Sequence, residues 1–131
     1  MRTQTLIKLS GVGIVMAAAI LQGTSVYAGE AAVLDATVIA NANGTYGVSA
    51  SIFHKDEGWS HYADKFDVLT PNGKVIGTRV LYHPHVNEQP FTRTLGSVQV
   101  PVGVTEIIVR AHDLIHGDGK RTFRVKLPPR K

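Results

Sequence analysis

The stretch "TYGVSASIFH" (residues 45–54) alternates apolar and small polar side chains, with Tyr46, Val48, Ala50 and Ile52 at one parity and Ser49 and Ser51 at the other. Side chains of an extended strand point to opposite faces in turn, so this period places the apolar set on a buried face and the serines on a wetter one. His54 continues the inward parity at the end of the strand. A polar, ionisable ring is thereby carried to the rim of a core.

Working outward, the same pattern recurs in short segments separated by turn residues. Candidate strands lie at residues 32–40, 62–69, 75–82, 91–100, 105–111 and 122–127, joined by "NANG", "HKDEGWSH", "TPNGK", "HPHVNEQP", "PVGV" and "HDLIHGDGK". Asn and Gly tolerate the positive φ of tight turns, and "TPNGK" has Asn72 and Gly73 at a hairpin tip. The two prolines of "HPHVNEQP" cannot donate to a strand ladder, which makes that segment a loop. No segment has a sustained helical period. The predicted fold is all-β, an immunoglobulin- or fibronectin-like antiparallel sandwich of about seven strands, with a small open barrel as the alternative.

The first 28 residues read differently. Arg2 and Lys8 precede or begin an apolar run over residues 9–21, and "GTSVYAGE" follows, with Val26 and Ala28 spaced for cleavage after Ala28. That run is shorter than the roughly 17 to 25 residues a membrane-spanning helix requires. The expected organisation is a signal peptide at residues 1–28 and one β-sandwich domain at residues 29–131. The mature chain is then periplasmic or secreted, without membrane insertion.

The sequence contains no cysteine, which excludes disulfides, a lipoprotein-type signal and any thiolate ligand. Both methionines, Met1 and Met16, fall in the leader, so a mature metal site must be built from nitrogen and oxygen. Blue-copper and methionine-rich copper(I) chemistry are excluded on that ground. The net charge of +4 includes Arg2 and Lys8, so the mature chain is only weakly basic. Its basic tail, "PPRK", reads as a solvated end, and no basic stripe with interleaved aromatics points to nucleic acid.

The six histidines are distributed unevenly. His54 and His61 bracket the second connection, His83 and His85 open the fourth, and His112 and His116 belong to the sixth. In strands that run alternately up and down, the even-numbered connections emerge at one end of the sandwich. Topology thus predicts a histidine rim. The pair His83 and His85 in "YHPHVNEQPFTR" is expected to project two rings to one side, since Pro84 holds the backbone extended. Imidazole suits zinc, copper(II) and nickel, and Asp56, Glu57, Asp64, Glu88, Asp113 and Asp118 lie near the same rim to complete or orient a site. The candidate ligands are His54, His61, His83, His85 and His116, with copper(II) or zinc as the ion. His112 shares parity with Glu106 and Arg110, the outward set.

Two other readings compete with metal binding. The same loops can present Trp59, Tyr62, Tyr82 and Phe91 to another exported protein, although a lone Trp in a small sandwich is more often a packing anchor. An enzyme using metal-bound water, or His61 with Asp64 as general base, is the third. There is no nucleophile elbow or HExxH helix to support it. Arg79, Arg93 and Arg110 are placed on a solvated sheet face, with Arg93 able to pair with Glu88.

The segments "GWSHYAD", "GTRVLYHPHVNEQPFTR", "VPVGVTEIIVRAHD" and "HGDGK" resemble an uncharacterised family of small exported bacterial proteins with an immunoglobulin-like β-sandwich. The resemblance implies export and that fold, and assigns no activity to any residue.

Overall fold

A computed structural model describes residues 29–131; the signal peptide expected at residues 1–28 lies outside them. The described chain is all-β, with strands β1 (Ala32–Ala40), β2 (Tyr46–Phe53), β3 (Ala63–Leu69), β4 (Val75–Val80), β5 (Phe91–Val98), β6 (Glu106–Asp113), β7 (Gly117–Asp118) and β8 (Phe123–Lys126). Seven of these occupy the segments that alternation predicts. The eighth, the two-residue β7, forms inside "HDLIHGDGK", where a run so short carries no periodic signal.

The strands make two antiparallel sheets. One has the order β1-β2-β5, and the other β4-β3-β6-β7, with β8 also pairing β6. Within the first, β2 is central, with Ala50 opposite Ala36 on one side and Arg93 on the other. In the second, β3 and β6 pair in the register Phe66 to Ala111 and Val68 to Val109.

Inward parity fills the space between the sheets. Tyr46, Val48, Ala50 and Ile52 of β2 are buried, together with Phe66, Val68, Phe91, Ile107, Val109 and Ala111. Burying the Val, Ile and Phe side chains among them contributes roughly 1.5 to 3 kcal/mol each, which is why the alternation of β2 determines which way the strand faces. On the outer face Ser49 and Ser51 pair with Thr94 and Thr92 of β5 through their hydroxyls, at 2.7 and 2.6 Å.

At one end of this core the chain changes character. His54, Asp56, His85 and Asp113 are buried there, on or beside the connections after β2, β4 and β6. The up-and-down topology therefore brings the even-numbered connections together, as alternation of strand direction predicts.

Candidate metal centre

The centre is built on the two strands whose ends reach this rim. His54 follows β2, and its Nδ1 lies 2.6 Å from Asp56 Oδ1. Asp56 is fixed in turn, accepting backbone N–H bonds from Ala63 at 3.0 Å and from His85 at 2.7 Å. The loop after β2 then returns His61, whose Nδ1 lies 2.6 Å from Glu57 Oε1. With their Nδ1 atoms committed to carboxylates, both rings turn Nε2 inward, and the two Nε2 atoms stand 3.2 Å apart.

Asp113 closes the group from the end of β6. Its Oδ1 lies 3.3 Å from His61 Nε2, and its Oδ2 lies 3.8 Å from His54 Nε2. Oδ1 also accepts the backbone N–H groups of Ile115 and His116, at 2.9 and 2.8 Å, a turn that swings the His116 ring back until its Nδ1 is 3.2 Å from the same oxygen. One ligand atom from each of His54, His61, Asp113 and His116 lies within 4.8 Å of all the others.

These residues fit a divalent cation. Two donors each about 2.0 to 2.1 Å from a tetrahedral zinc stand about 3.3 to 3.4 Å apart, close to the separations found here. Neutral imidazoles that donate through Nδ1 direct two Nε2 lone pairs at each other, an arrangement that a shared cation relieves. Asp113 is fully buried, and its Oδ2 has no hydrogen-bond partner. A buried carboxylate oxygen without a partner is costly, and a cation held at this point would supply the missing one. Carboxylates behind His54 and His61 reproduce the outer shell that orients metal-bound imidazole.

Electrostatics agree with the geometry. Burial alone would raise the Asp113 carboxyl, but the backbone N–H groups of His116 and Ile115, with His54 nearby, bring it below the ordinary aspartate value. The hydrogen bond from His61 lowers Glu57 below the ordinary glutamate value. The set is one of hard oxygen and borderline nitrogen donors, which suits zinc, copper(II) or nickel.

Of the five histidines singled out from sequence, His54, His61 and His116 come together. His83 and His85 are not in that group. Their rings are neighbours, with centroids 4.8 Å apart, but His83 is exposed whereas His85 is buried and stacked on Phe91 at 4.1 Å and 12°. Both His85 ring nitrogens are buried without a hydrogen-bond partner. Burial lowers its pKa, with the charges of Arg93 and His83 acting the same way. The loop contributes through its backbone and Gln89, which accepts the His54 N–H at 3.0 Å and donates to the His85 carbonyl at 3.0 Å.

His112 lies on the outer side of β6, 2.6 Å from Asp64, in keeping with its outward parity. Arg93 meets Glu88 at 3.1 Å. Trp59 differs from the packing role expected of it: its ring is 68% exposed and meets only the edge of Tyr62 among the aromatic contacts found. The polar loop carries Trp59 past the end of the sheets, where no core remains to receive it. Asp113 was legible as one of six rim carboxylates, but sequence did not separate it from the other five.

Comparison with known proteins adds one relative. The chain is 39% identical over 96 residues to a protein of Halomicrobium mukohataei named "Putative lipoprotein", a match covering 73% of this chain and 47% of that protein. This chain thus spans about half the length of the curated relative it matches. The sequence here has no cysteine, so the lipid attachment in that name is not carried over. No protein-family model matches the chain, and no solved structure matches it. Among the described residues no helix is long and apolar enough to cross a membrane.

Proposed function

We propose that this is an exported metal-binding protein that holds one divalent cation, zinc by the spacing of its donors, through His54, His61, Asp113 and His116. The observation that carries the reading is the 3.2 Å approach of His54 Nε2 and His61 Nε2, each imidazole backed by a carboxylate at 2.6 Å. The orphaned Asp113 Oδ2 beside them supports it. Similarity to a protein named as a lipoprotein, together with the leader-like residues 1–28, supports export.

The role that fits such a site is buffering, delivery or sensing of the ion. His61 and His116 are partly exposed, with side chains 17% and 37% accessible, whereas His54 and Asp113 are enclosed. The ion therefore meets solvent on the His61 and His116 side, which gives it a route for exchange. Calorimetric titration of zinc and copper(II) into chelator-stripped protein tests the reading. One-to-one binding tighter than about micromolar, lost in His61→Ala, supports it. Equal binding by both forms would overturn it, and a stronger preference for copper(II) than the usual order of divalent affinities gives would replace zinc with copper(II).

A second reading is favoured by the exposed Trp59, Tyr82, Leu114 and Ile115 on the same three connections, at 68, 74, 46 and 62%. Such residues suit contact with another exported protein. A complex that survives chelator and is lost in Trp59→Ser would favour this role.

A further inference from the structure

The turn between β1 and β2, "NANGT" (residues 41–45), carries a group that the metal centre does not use. Of the asparagines in the chain, Asn41, Asn43, Asn72 and Asn87, only Asn43 has a hydroxyl residue two places on, in the triplet Asn43-Gly44-Thr45. An asparagine followed by any residue but proline and then by serine or threonine is the pattern at which exported proteins receive sugar on the amide nitrogen. A triplet this short recurs by chance. What distinguishes this one is how the two amide atoms of Asn43 are used.

Asn43 is exposed in the turn. Its Oδ1 accepts the Thr45 backbone N–H at 3.2 Å and the Thr45 hydroxyl at 2.7 Å. Among the described residues its Nδ2 donates to no protein acceptor. Asn41 shows the opposite use, its Nδ2 donating to Thr45 Oγ1 at 3.0 Å and to the Gly96 carbonyl at 2.9 Å. The turn requires an acceptor at position 43, which an aspartate would supply equally well. The fold therefore gives the Asn43 nitrogen no task.

Space and position agree with an attachment here. A Cβ built on Gly44 meets nothing within 4 Å, so the turn is open. Arg130 donates to the Gly44 carbonyl at 2.6 Å and to the Val100 carbonyl at 3.1 Å, which gathers the first and fifth connections at the end of the sandwich away from the metal centre. A sugar at this turn leaves the His61 and His116 side of that centre clear.

We propose that Asn43 is a glycosylation site, its Nδ2 taking a sugar chain from a lipid-linked donor during export. The bond that forms joins Nδ2 to the anomeric carbon of the sugar. The bond that breaks joins that carbon to a phosphate oxygen of the lipid carrier, which leaves with the electron pair, while one amide proton passes to a base of the transferase. Thr45 is 8% exposed, and its hydroxyl also accepts from Asn41 and from Ser97 at 3.2 Å. A transferase that reads this hydroxyl thus acts before the hairpin closes. The closed hairpin then accommodates the product without losing a hydrogen bond, because the nitrogen made none. The inference shares only export with the metal-centre reading.

The test is mass spectrometry of the exported protein purified from its own host, with the peptide containing Asn43 sequenced by fragmentation. Asn43 is expected to carry one or more sugar residues. The added mass should be lost in Asn43→Asp, which keeps the acceptor for Thr45, and in Thr45→Val, which keeps the shape of the side chain without its hydroxyl. Thr45→Ser should retain the sugar, which separates loss of the triplet from a fault in folding. An unmodified Asn43, or one changed only by the small mass gain of deamidation, would overturn the proposal, as would sugar that persists in Thr45→Val. Recovery of unmodified protein inside the cell would overturn export together with this site, and leave the metal centre to its own titration.

Discussion

His54 Nε2 and His61 Nε2 stand 3.2 Å apart although seven residues separate them, because Asp56 and Glu57 each hold the opposite nitrogen of one ring at 2.6 Å. The two carboxylates are adjacent in sequence but differ in setting, Asp56 being buried and Glu57 61% exposed. One loop therefore supplies the groups that aim two imidazoles at each other.

Glu57 can be changed without disturbing the core. Glu57→Gln keeps an acceptor for His61 but removes its charge, and zinc affinity is expected to fall about tenfold, the lower end of what outer-shell changes cost. Thermal unfolding of the metal-free protein should be unchanged. Competition titration against a chelator reads the first effect and calorimetry the second.

Asp113→Asn separates structure from coordination. The amide carbonyl oxygen still accepts the Ile115 and His116 N–H bonds that form the turn. The charge that faces the histidines is lost, so zinc affinity is expected to drop by at least about 100-fold with the circular dichroism of the fold intact. Binding within threefold of wild type would remove Asp113 from the centre.

His85 gives a contrasting outcome. Replacing it with Phe keeps an aromatic ring against Phe91 and removes two buried nitrogens that have no partner, so metal-free stability is expected to rise by about 1 kcal/mol. Zinc affinity should stay within about threefold, because the hydrogen bond from His85 to Asp56 is made by its backbone N–H, the ring Nδ1 standing 3.9 Å away. A large loss of affinity would instead make the His85 ring a ligand.

The same residue makes a pH signature. Burial holds the folded His85 pKa below the unfolded value of about 6.5, so the unfolded chain binds the extra proton first. Its contribution to stability is present above about pH 6.5 and is lost as pH falls through the folded pKa. Asp113 and Glu57, also lowered on folding, act similarly from about pH 4 downward. Denaturation midpoints of wild type and His85→Phe should diverge between about pH 8 and 5, the wild type falling more steeply.

Sequence alone determined the strands and their inward faces. Period-two alternation in residues 45–54 fixes which side of β2 is buried, because a one-residue slip would bury Ser49 and Ser51 in place of Val48 and Ile52. The turns are legible for the same local reason, as at Asn72 and Gly73. It also determined that the even-numbered connections would share an end, since antiparallel neighbours reverse direction at each turn, and hence that the histidines would gather there.

Which of them would meet was decided by tertiary structure. His54, His61, Asp113 and His116 come from the ends of β2 and β6 and the loops that follow, strands that lie in different sheets, so their separations depend on how the two sheets pack and how each loop closes. Orientation is likewise non-local in its consequences. Asp56 and Glu57 turn two rings toward a carboxylate more than fifty residues away, while Phe91 captures the ring of His85 and leaves His83 in solvent. Spacing along the chain records neither packing nor the competition between a ring's polar and apolar partners. That competition divides five similar histidines into three that face one another and two that do not.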